Sequence, residues 1–563
     1  MTSTVTHAEP AEVAQERRSW WSRERWTSDR IARFIELLAV LPALATVVEI
    51  AKAPRLHFLD YWDMLLRISN PDGSFHPAGL LRLKNEHPVA LPSLTYWVDA
   101  RLFDGNAHIL GYFVVLVAAA TVLLLRAALP TTLPPIARAG IVVASSAMVF
   151  SLHGFHNFVR SMSGSAWLTA NLLVVAALLL AIRQRWWWAW AIALIACTSY
   201  GTAFPVWAAF ALIAIVRRES LWRRLVPIGL GVAVVAAWLI LRPYNEAGRA
   251  PASDLGTLLF TFLEVIGHLW TADNGGVAVF AGVVILAGYG VLLTSRAARS
   301  PRLLFWWALA AHALLASAMI AAARIDFGFA NGLASRYASL SVLASLPLIV
   351  LATAAAGPVV ARMAPRVAIA AVAIGLVAYT LGVPPAAALR AQFPDATLQA
   401  VALRAGVAEA YPTALPQGKV LTERLRVLGH YPFSDEFTLG CGGPEIGSVL
   451  NVGTGDQLQP ADRSRTKQPA GFVDAVEPHA DAVIIRGWAG GAEQVRCTVV
   501  VDGTGRITGG GLSRMNRPDV TAVLGWIPPD SGFQVIGPAA GADRVVFVLE
   551  NGRMLWLPAK PST

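Results

Sequence analysis

Residues 108–128 have the sequence HILGYFVVLVAAATVLLLRAA, an apolar run whose only arginine is Arg126. An α-helix of this length crosses the roughly 30 Å of hydrocarbon in a bilayer. Comparable apolar runs recur from about Arg33 to Gly382, and the span-length criterion gives about eleven of them. They lie near 32–52, 108–128, 137–153, 165–183, 186–201, 203–216, 225–241, 277–294, 303–322, 337–357 and 367–382. We therefore expect an α-helical polytopic membrane protein.

Composition excludes an ordinary soluble protein. The chain has 563 residues, of which 55% are hydrophobic and 15% charged, and its mean hydropathy is +0.53. A net charge of +10 is compatible with nucleic-acid binding, but the arginines form short clusters between apolar runs instead of one basic face. We therefore attribute the positive charge to membrane topology and expect no nucleic-acid partner.

Arginine placement also predicts the orientation of the helices. Short cytoplasmic loops are enriched in Arg and Lys. With the N-terminus inside, alternate loops contain Arg126 and Arg138, Arg183 and Arg185, Arg217 to Arg224, Arg296 to Arg302, and Arg362 with Arg366. The eleven-span arrangement therefore predicts a multi-pass protein with a cytoplasmic N-terminus and an extracytoplasmic C-terminal domain. Because the first apolar run begins only near Ile31, we expect no cleavable signal peptide.

The predicted domains are a cytoplasmic tail at 1–30, a transmembrane bundle at 31–382 with an external loop at 53–107, a mixed linker or subdomain at 383–470, and a β-sandwich at 471–563. Alternating segments at 482–487, 495–502, 532–536 and 544–549 predict the strands. We also expect an interfacial helix at 255–270 and a short amphipathic helix at 75–84. Cys441 and Cys497 either pair or stay free, and an extracytoplasmic location favours pairing.

Acidic residues stand directly after the first predicted span, in Leu59-Asp60-Tyr61-Trp62-Asp63. A spacing of three residues puts Asp60 and Asp63 on one side of a helical turn, where one acts as general base or metal ligand and the other orients it. The alternative is that both are solvated loop acids. Trp62 is a candidate for stacking on a sugar.

A second polar segment is Lys84-Asn85-Glu86-His87-Pro88. Glu86 is a third catalytic candidate, and Asn85 and His87 are candidates for substrate binding, although three consecutive side chains cannot all face one way. The alternative is that these are ordinary loop polar residues. His156, which lies with His153 and Asn157 in another predicted external loop, is a further substrate-binding candidate, and we do not favour metal binding there.

Basic residues are unexpected on the external face, where Arg324 and Ser335-Arg336-Tyr337 are placed. Arginine binds phosphate bidentately and stays charged when partly desolvated, so Arg324 and Arg336 are candidates for holding a phosphate head group. Tyr337 and, after the seventh predicted span, Arg242 with Tyr244 supplement this site. The alternative is that these arginines extend from helix ends toward water.

The order of one span, an acidic external loop, many further spans and an external C-terminal domain resembles the GT-C class of integral membrane glycosyltransferases. Asn85-Glu86-His87 is similar to the "NEHR" segment of a group of bacterial multi-spanning proteins, with Pro88 in place of the Arg. Arg324-Ile325-Asp326-Phe327-Gly328 and Ala334-Ser335-Arg336-Tyr337 resemble a second segment of that group. The resemblance covers roughly residues 30 to 380.

The resemblance implies a bacterial plasma-membrane enzyme that uses a polyprenyl-phosphate sugar donor and transfers the sugar with inversion. It also implies a catalytic Asp or Glu in the first external loop, either Asp60 or Asp63, and Asp60 is preferred because it is nearer the span. The acceptor would be a cell-envelope glycan or glycolipid, and a divalent cation is used by many members of the class. The rival hypotheses are a polysaccharide or lipid transporter and a non-enzymatic envelope scaffold.

The C-terminal segment resembles a β-sandwich module appended to bacterial surface and glycosylation proteins. The residues that carry this resemblance are Ile485-Arg486-Gly487-Trp488-Ala489, Val501-Asp502-Gly503, Arg517-Pro518-Asp519-Val520 and Ser531-Gly532-Phe533. Such a module implies glycan binding, with Trp488 or Trp526 as a stacking platform. A tryptophan in the core of a small sandwich is the alternative.

Overall fold

A computed structural model describes residues 28–58, 60–84, 86–241, 255–324, 331–407, 418–443, 445–452, 457–460 and 468–559 of the chain. The chain divides into two compact units. The helical unit comprises residues 1–52, 82–92 and 111–387, and the sheet unit comprises residues 53–81, 93–110 and 388–563. The predicted external loop at 53–107 therefore contributes residues to both units.

Nine helices of the described part are long and apolar enough to cross a membrane. They have mean hydropathies between 1.6 and 2.4, which fit a multi-pass membrane protein. Their bounds are Ser28–Lys52, Ala107–Ala128, Pro135–Val159, Met162–Ile182, Leu221–Leu241, Gly275–Thr294, Pro301–Arg324, Ser335–Ala355 and Ala364–Ala405. Nine of the eleven predicted spans correspond to these helices.

The other two predicted spans are shorter than expected. They form helices at Trp186–Ser199 and Val206–Val216, of 14 and 11 residues, joined by a 3-10 turn at Gly201–Ala203. At 1.5 Å per residue neither helix reaches across about 30 Å of hydrocarbon by itself. The hydropathy pattern missed this because the apolar composition continues through the break.

The segment 255–270, predicted to be an interfacial helix, is helical, but its polar side chains do not face water as predicted. It runs over Leu255–Gly267 and continues as a 3-10 turn at His268–Trp270. Glu264 is 0% exposed and His268 is 4% exposed, so its polar side chains are buried within the helical unit instead of facing water.

Small residues allow two helices of the helical unit to pack closely. A Cβ on Gly140 would lie 2.5 Å from Cα of Ala368, and a Cβ on Gly375 would lie 2.7 Å from Cα of Ala144. These residues belong to the helices Pro135–Val149 and Ala364–Thr380. Close backbone approach at small residues is a usual source of packing energy between apolar helices.

Two groups of polar contacts involve residues near the arginine-rich loops of the helical unit. Arg126 forms an ion pair of 2.8 Å with Glu36. Arg223 pairs with Glu219 at 3.0 Å, and the Gln184 amide donates to the same carboxylate at 2.6 Å. Each group thus joins residues that are distant in sequence, Glu36 with Arg126 and Gln184 with Glu219.

Within the described residues of the sheet unit, seven strands form one antiparallel sheet. Their bounds are β1 Ala470–His479, β2 Ala482–Gly490, β3 Val495–Val501, β4 Ile507–Met515, β5 Gly532–Pro538, β6 Arg544–Leu549 and β7 Met554–Pro558. The spatial order is β1-β2-β5-β4-β3-β6-β7. The predicted strand segments are present, but they form a single sheet instead of the two packed sheets of a sandwich.

Helices complete the sheet unit. Among the described residues they are Asp60–Ile68, Phe393–Ala405, Gly418–Leu428 and Pro518–Leu524, with most of Ala90–Leu102 and the last three residues of Val383–Arg390. Leu398 of the helix Phe393–Ala405 packs on β4, where its Cδ2 lies 2.8 Å from the position of a Cβ on Gly511. The predicted amphipathic helix at 75–84 is reduced to a five-residue 3-10 turn, Pro77–Leu81.

Two expectations for the C-terminal part are resolved. Cys441 and Cys497 form a disulfide, which ties the segment before the sheet to β3. Trp488 is 8% exposed and packs with Ala470, Val520 and Ile527. Its ring is therefore part of the core and not a platform for glycan.

Prediction: Gly140→Ala destabilises the folded protein by about 1–3 kcal/mol, because the added methyl group overpacks the contact with Ala368. Thermal unfolding of the purified protein in detergent measures the effect. Gly229→Ala is the matched control, since no atom lies within 4 Å of the position that its Cβ would take. Equal melting temperatures for the two variants would contradict the packing argument.

Candidate functional site

Basic and aromatic side chains converge at one place in the helical unit. His87 stacks on Tyr200 with ring centroids 4.1 Å apart, Tyr200 contacts Trp167 at 4.4 Å, and Trp167 contacts Tyr337 at 5.4 Å. The Arg336 guanidinium lies over the Tyr337 ring, 4.9 Å from its centroid. We call His87, Trp167, Tyr200, Arg336 and Tyr337 the basic-aromatic cluster. It brings together three predicted site residues from distant segments of the chain.

Arg336 lies in the 3-10 turn Ser335–Tyr337, which leads directly into the helix Ala338–Ala355. Its guanidinium is partly buried, and its contacts within the described part of the chain are with Tyr337 and not with a carboxylate. A partly desolvated guanidinium gains most from a bidentate anion. Arg336 is therefore suited to bind a phosphate or carboxylate group.

The charge of a second arginine, Arg324, also acts on His87. Burial, together with the positive charges of Arg324 and Arg336, lowers the pKa of His87 to about 3. Arg324 ends the helix Leu304–Arg324. The predicted phosphate-binding arginines thus act on one histidine, which is neutral at physiological pH.

The segment that carries Arg336 is held by buried polar groups. The Ser335 hydroxyl donates to the carbonyl of His153, and the backbone N–H of His156 donates to the Ser335 hydroxyl at 3.4 Å. His156, predicted to bind substrate, also contacts Arg160 at 3.3 Å through its Nε2. Both ring nitrogens of His153 are hydrogen-bonded, to Ser151 and to the Thr271 carbonyl.

Glu264 supports the same segment from the helix Leu255–Gly267. Its carboxylate accepts a hydrogen bond of 3.3 Å from the backbone N–H of Gly332, four residues before Arg336. A buried carboxylate in an apolar helix is costly and usually has a specific role. Glu264 therefore holds the 3-10 turn Asn331–Leu333, which directly precedes the turn that contains Arg336.

Glu86 directly precedes His87 and has an unusual backbone. Its φ is +70°, a left-handed conformation that non-glycine residues adopt rarely and often at functional sites. The Trp238 indole N–H donates to the Glu86 carbonyl, which fixes the peptide. Of the three predicted catalytic carboxylates, Glu86 is the one in the same unit as the basic-aromatic cluster.

Asp60 and Asp63 lie in the first turn of the helix Asp60–Ile68, in the sheet unit. The sequence prediction that they share a helical turn is confirmed. The Asp63 carboxylate pairs with Arg67 at 2.8 Å. Their catalytic role stays a prediction.

Trp62 is a correction to the sequence analysis. It is 0% exposed and packs edge-on against Tyr61, with ring centroids 5.2 Å apart. It also contacts the ring of His430 at 5.5 Å. A tryptophan enclosed by other rings presents no open face to a sugar, so the expected sugar platform is a core residue.

Several predicted residues lie outside the described part of the chain. They are Asn85, Arg242, Tyr244 and the segment 325–328. Other members of the site were not predicted as site residues, namely Trp167, Tyr200, Arg160 and Glu264. For Tyr200 the sequence did contain an indication, because Tyr200-Gly201-Thr202 interrupts the apolar sequence between two short helices.

Comparison of the chain with protein-family models, curated proteins and solved structures finds no match. The function is therefore argued from the site itself and from the resemblance of its motifs.

Prediction: the free energy of unfolding falls between pH 6.5 and pH 4, in part because of His87. Its folded pKa is lowered, so in this range the unfolded chain binds a proton that the folded protein excludes. This contribution is fully present above pH 6.5 and is lost as the pH falls toward 3. His87→Gln should therefore show a shallower loss of stability with acid, measured by thermal unfolding in detergent.

The matched control for His87→Gln is His76→Gln, which lies in the sheet unit and outside the basic-aromatic cluster. A pH dependence of His87→Gln as steep as that of the wild type would contradict the assignment.

Proposed function

We propose that this protein is a membrane glycosyltransferase that uses a polyprenyl-phosphate sugar donor. The observation that carries the proposal is Arg336, partly buried beside Tyr337, with its charge and that of Arg324 acting on His87. A lipid-linked phosphate is the anion that meets such a site at the end of apolar helices. The proposal agrees with the resemblance to the GT-C class.

The phosphate would lie between the two guanidinium groups. Arginine matches phosphate oxygens with two parallel hydrogen bonds and stays charged when water is excluded. The start of the 18-residue helix Ala338–Ala355 adds a favourable positive potential. Since His87 is neutral, it can donate or accept a hydrogen bond without adding to or cancelling the arginine charge.

In the proposed reaction, the acceptor hydroxyl oxygen attacks the anomeric carbon of the sugar from the face opposite the phosphate. The bond from that carbon to the phosphate oxygen breaks, and the configuration inverts. A carboxylate accepts the hydroxyl proton, and the arginines stabilise the polyprenyl phosphate that leaves. Glu86 is the proposed base because it adjoins His87, with Asp60 and Asp63 as the other candidates.

The proposed location is the bacterial plasma membrane, with the site on the extracytoplasmic side. Two features support this orientation. The loops that contain Arg126, Arg217 and Arg223 are rich in arginine, as cytoplasmic loops are. The disulfide between Cys441 and Cys497 is typical of an oxidising compartment, which agrees with an extracytoplasmic C-terminal domain. The acceptor is proposed to be an envelope glycan or glycolipid.

A lipid-phosphate or polysaccharide transporter is a second candidate, favoured by His312. This histidine is 0% exposed inside the apolar helix Pro301–Arg324. Neither ring nitrogen has a hydrogen-bond partner within the described residues. Buried ionisable residues in membrane helices often mark transport pathways. Movement of lipid phosphate across reconstituted vesicles, without sugar transfer, would favour this candidate.

Prediction: Arg336→Gln lowers sugar transfer about a hundredfold, in the range expected when one donor to a developing anion is removed. The measurement is incorporation of radiolabel from a panel of polyprenyl-phosphate sugars by membranes that contain the protein. Arg362→Gln is the matched control, because Arg362 is exposed on the short helix Gly357–Arg362. Equal transfer by both variants would rule out Arg336 as the donor-binding residue.

Prediction: Glu86→Gln abolishes measurable transfer while the membranes still bind the donor, because only the proton acceptor is removed. Asp60→Asn and Asp63→Asn are assayed in parallel, with Asp72→Asn in an exposed turn as the control. Loss of transfer only in an Asp60 or Asp63 variant would move the base to that residue. Transfer by all three at the control rate would exclude carboxylate base catalysis at these positions.

A further inference from the structure

A second cluster of polar side chains lies inside the sheet unit, where His57, Asp99 and His430 meet. His57 Nε2 is 2.8 Å from Asp99 Oδ2. The three residues are 4%, 3% and 0% exposed, and one ligand atom from each lies within 4.8 Å of the other two. Two imidazoles and a carboxylate at this spacing are the donor set of many transition-metal sites.

The hydrogen bonds of the cluster point the imidazole Nε2 atoms of His57 and His430 toward one centre. His430 Nδ1 is 2.8 Å from the carbonyl of Tyr431, so Nδ1 carries the proton and Nε2 presents its lone pair to the cluster. This is the arrangement of a metal-binding histidine, whose second nitrogen is usually fixed by a carbonyl or carboxylate. The Tyr61 hydroxyl lies 3.0 Å from that Nε2 and 3.1 Å from Asp99 Oδ2.

One acceptor of this cluster has no proton to bind. A proton on His57 Nε2 can serve Asp99 Oδ2, and the Tyr61 hydroxyl can donate to His430 Nε2. Asp99 Oδ1 is buried and has no hydrogen-bond partner among the described residues. A buried carboxylate oxygen without a partner costs about 1–3 kcal/mol or more. A cation bound by Asp99 and the two imidazoles would remove that cost.

The surrounding packing is fitted to the two imidazoles. The ring of Tyr61 stacks on His57 with centroids 3.6 Å apart and planes 9° apart. Gly105 has φ +60°, and a Cβ at this position would lie 1.8 Å from His430 Nε2. Any side chain at residue 105 would therefore displace the imidazole. The His57 ring is thus held by Tyr61, four residues away, and the His430 ring by Gly105, which is distant in the sequence.

We propose that His57 Nε2, His430 Nε2 and the Asp99 carboxylate bind a zinc ion. Zinc takes nitrogen and oxygen ligands at about 2.0–2.2 Å, which places tetrahedral ligand atoms about 3.4 Å apart. The ligand atoms lie within 4.8 Å of one another, so side-chain rotations would bring them to this geometry, and the Tyr61 hydroxyl beside two of them is a candidate for the fourth position. The ion cross-links three segments, those at residue 57, in the helix Ala90–Leu102 and at residue 430.

The zinc ion would have a structural role, because its three protein ligands are almost fully buried. It would hold the segment that begins the helix Asp60–Ile68 against the segment after the helix Gly418–Leu428. The inference does not depend on the proposed glycosyltransferase activity. It concerns a site made entirely of residues of the sheet unit.

The test is the metal content of the full-length protein purified in detergent, measured by inductively coupled plasma mass spectrometry. The wild type should contain about one zinc ion per chain, and His430→Gln and Asp99→Asn should each lose most of it. His479→Gln is the matched control, because His479 lies on β1 outside the cluster. A wild type without near-stoichiometric metal would overturn the proposal, as would variants that keep wild-type zinc content.

A second measurement separates loss of the site from loss of the fold. Wild-type protein is stripped with a chelator and then given zinc or cobalt(II). Zinc should raise the melting temperature, and cobalt should give the visible absorption of a low-symmetry site with nitrogen and oxygen ligands. Absence of both responses in protein that keeps its Cys441–Cys497 disulfide would contradict the proposal. Chelation and readdition use only the wild type, so misfolding of a variant does not affect the outcome.

Discussion

Burial of charge in an apolar helical unit is the constraint on which the candidate sites depend. A charged side chain in a low-dielectric region needs a counter-ion, a hydrogen-bond network or access to water. The described arginines of the helical unit accordingly lie at helix ends, where Arg126 and Arg223 pair with glutamates. The Arg336 guanidinium instead contacts the ring and hydroxyl of Tyr337. We assign the phosphate to Arg336 for this reason.

The same constraint requires that the buried polar residues around Arg336 are hydrogen-bonded. Glu264 lies inside an apolar helix, yet its carboxylate accepts a backbone N–H from Gly332 close to Arg336. Ser335 is held in turn by His153 and His156. A rigid turn places the guanidinium with little loss of conformational freedom on binding. Preorganisation of this kind is what electrostatic stabilisation requires.

In the sheet unit, a disulfide and a polar cluster hold together segments that are distant in sequence. The Cys441–Cys497 disulfide attaches one of them to β3. His57, Asp99 and His430 gather three others around a common centre. Tyr61 belongs to this centre and is the residue next to Asp60, so the acidic segment after the first apolar helix takes part in the packing of the sheet unit.

Much of the local structure could be predicted from the sequence. Apolar run length predicted nine of the long helices, and alternation predicted strands such as β3 and β6. The hydropathy pattern could not show that the helix is interrupted at Gly201–Ala203, because a short turn between two apolar helices leaves the hydropathy almost unchanged. It also could not separate one curled sheet from two stacked sheets, since both bury alternate residues. Tryptophan is a common residue at membrane interfaces, and only the three-dimensional neighbours of Trp62 show that its ring is enclosed.

The sequence by itself determined the helical and strand segments, the placement of arginines in alternate loops and the residue types that bind phosphate. These properties follow from local composition and periodicity, which need no long-range contacts. Tertiary structure decided that His87, Tyr200 and Arg336 share one cluster. It also decided that His57 and His430, which are 373 positions apart in the sequence, share another. Such meetings depend on how helices and loops pack, and packing is set by side chains that are distant in the chain.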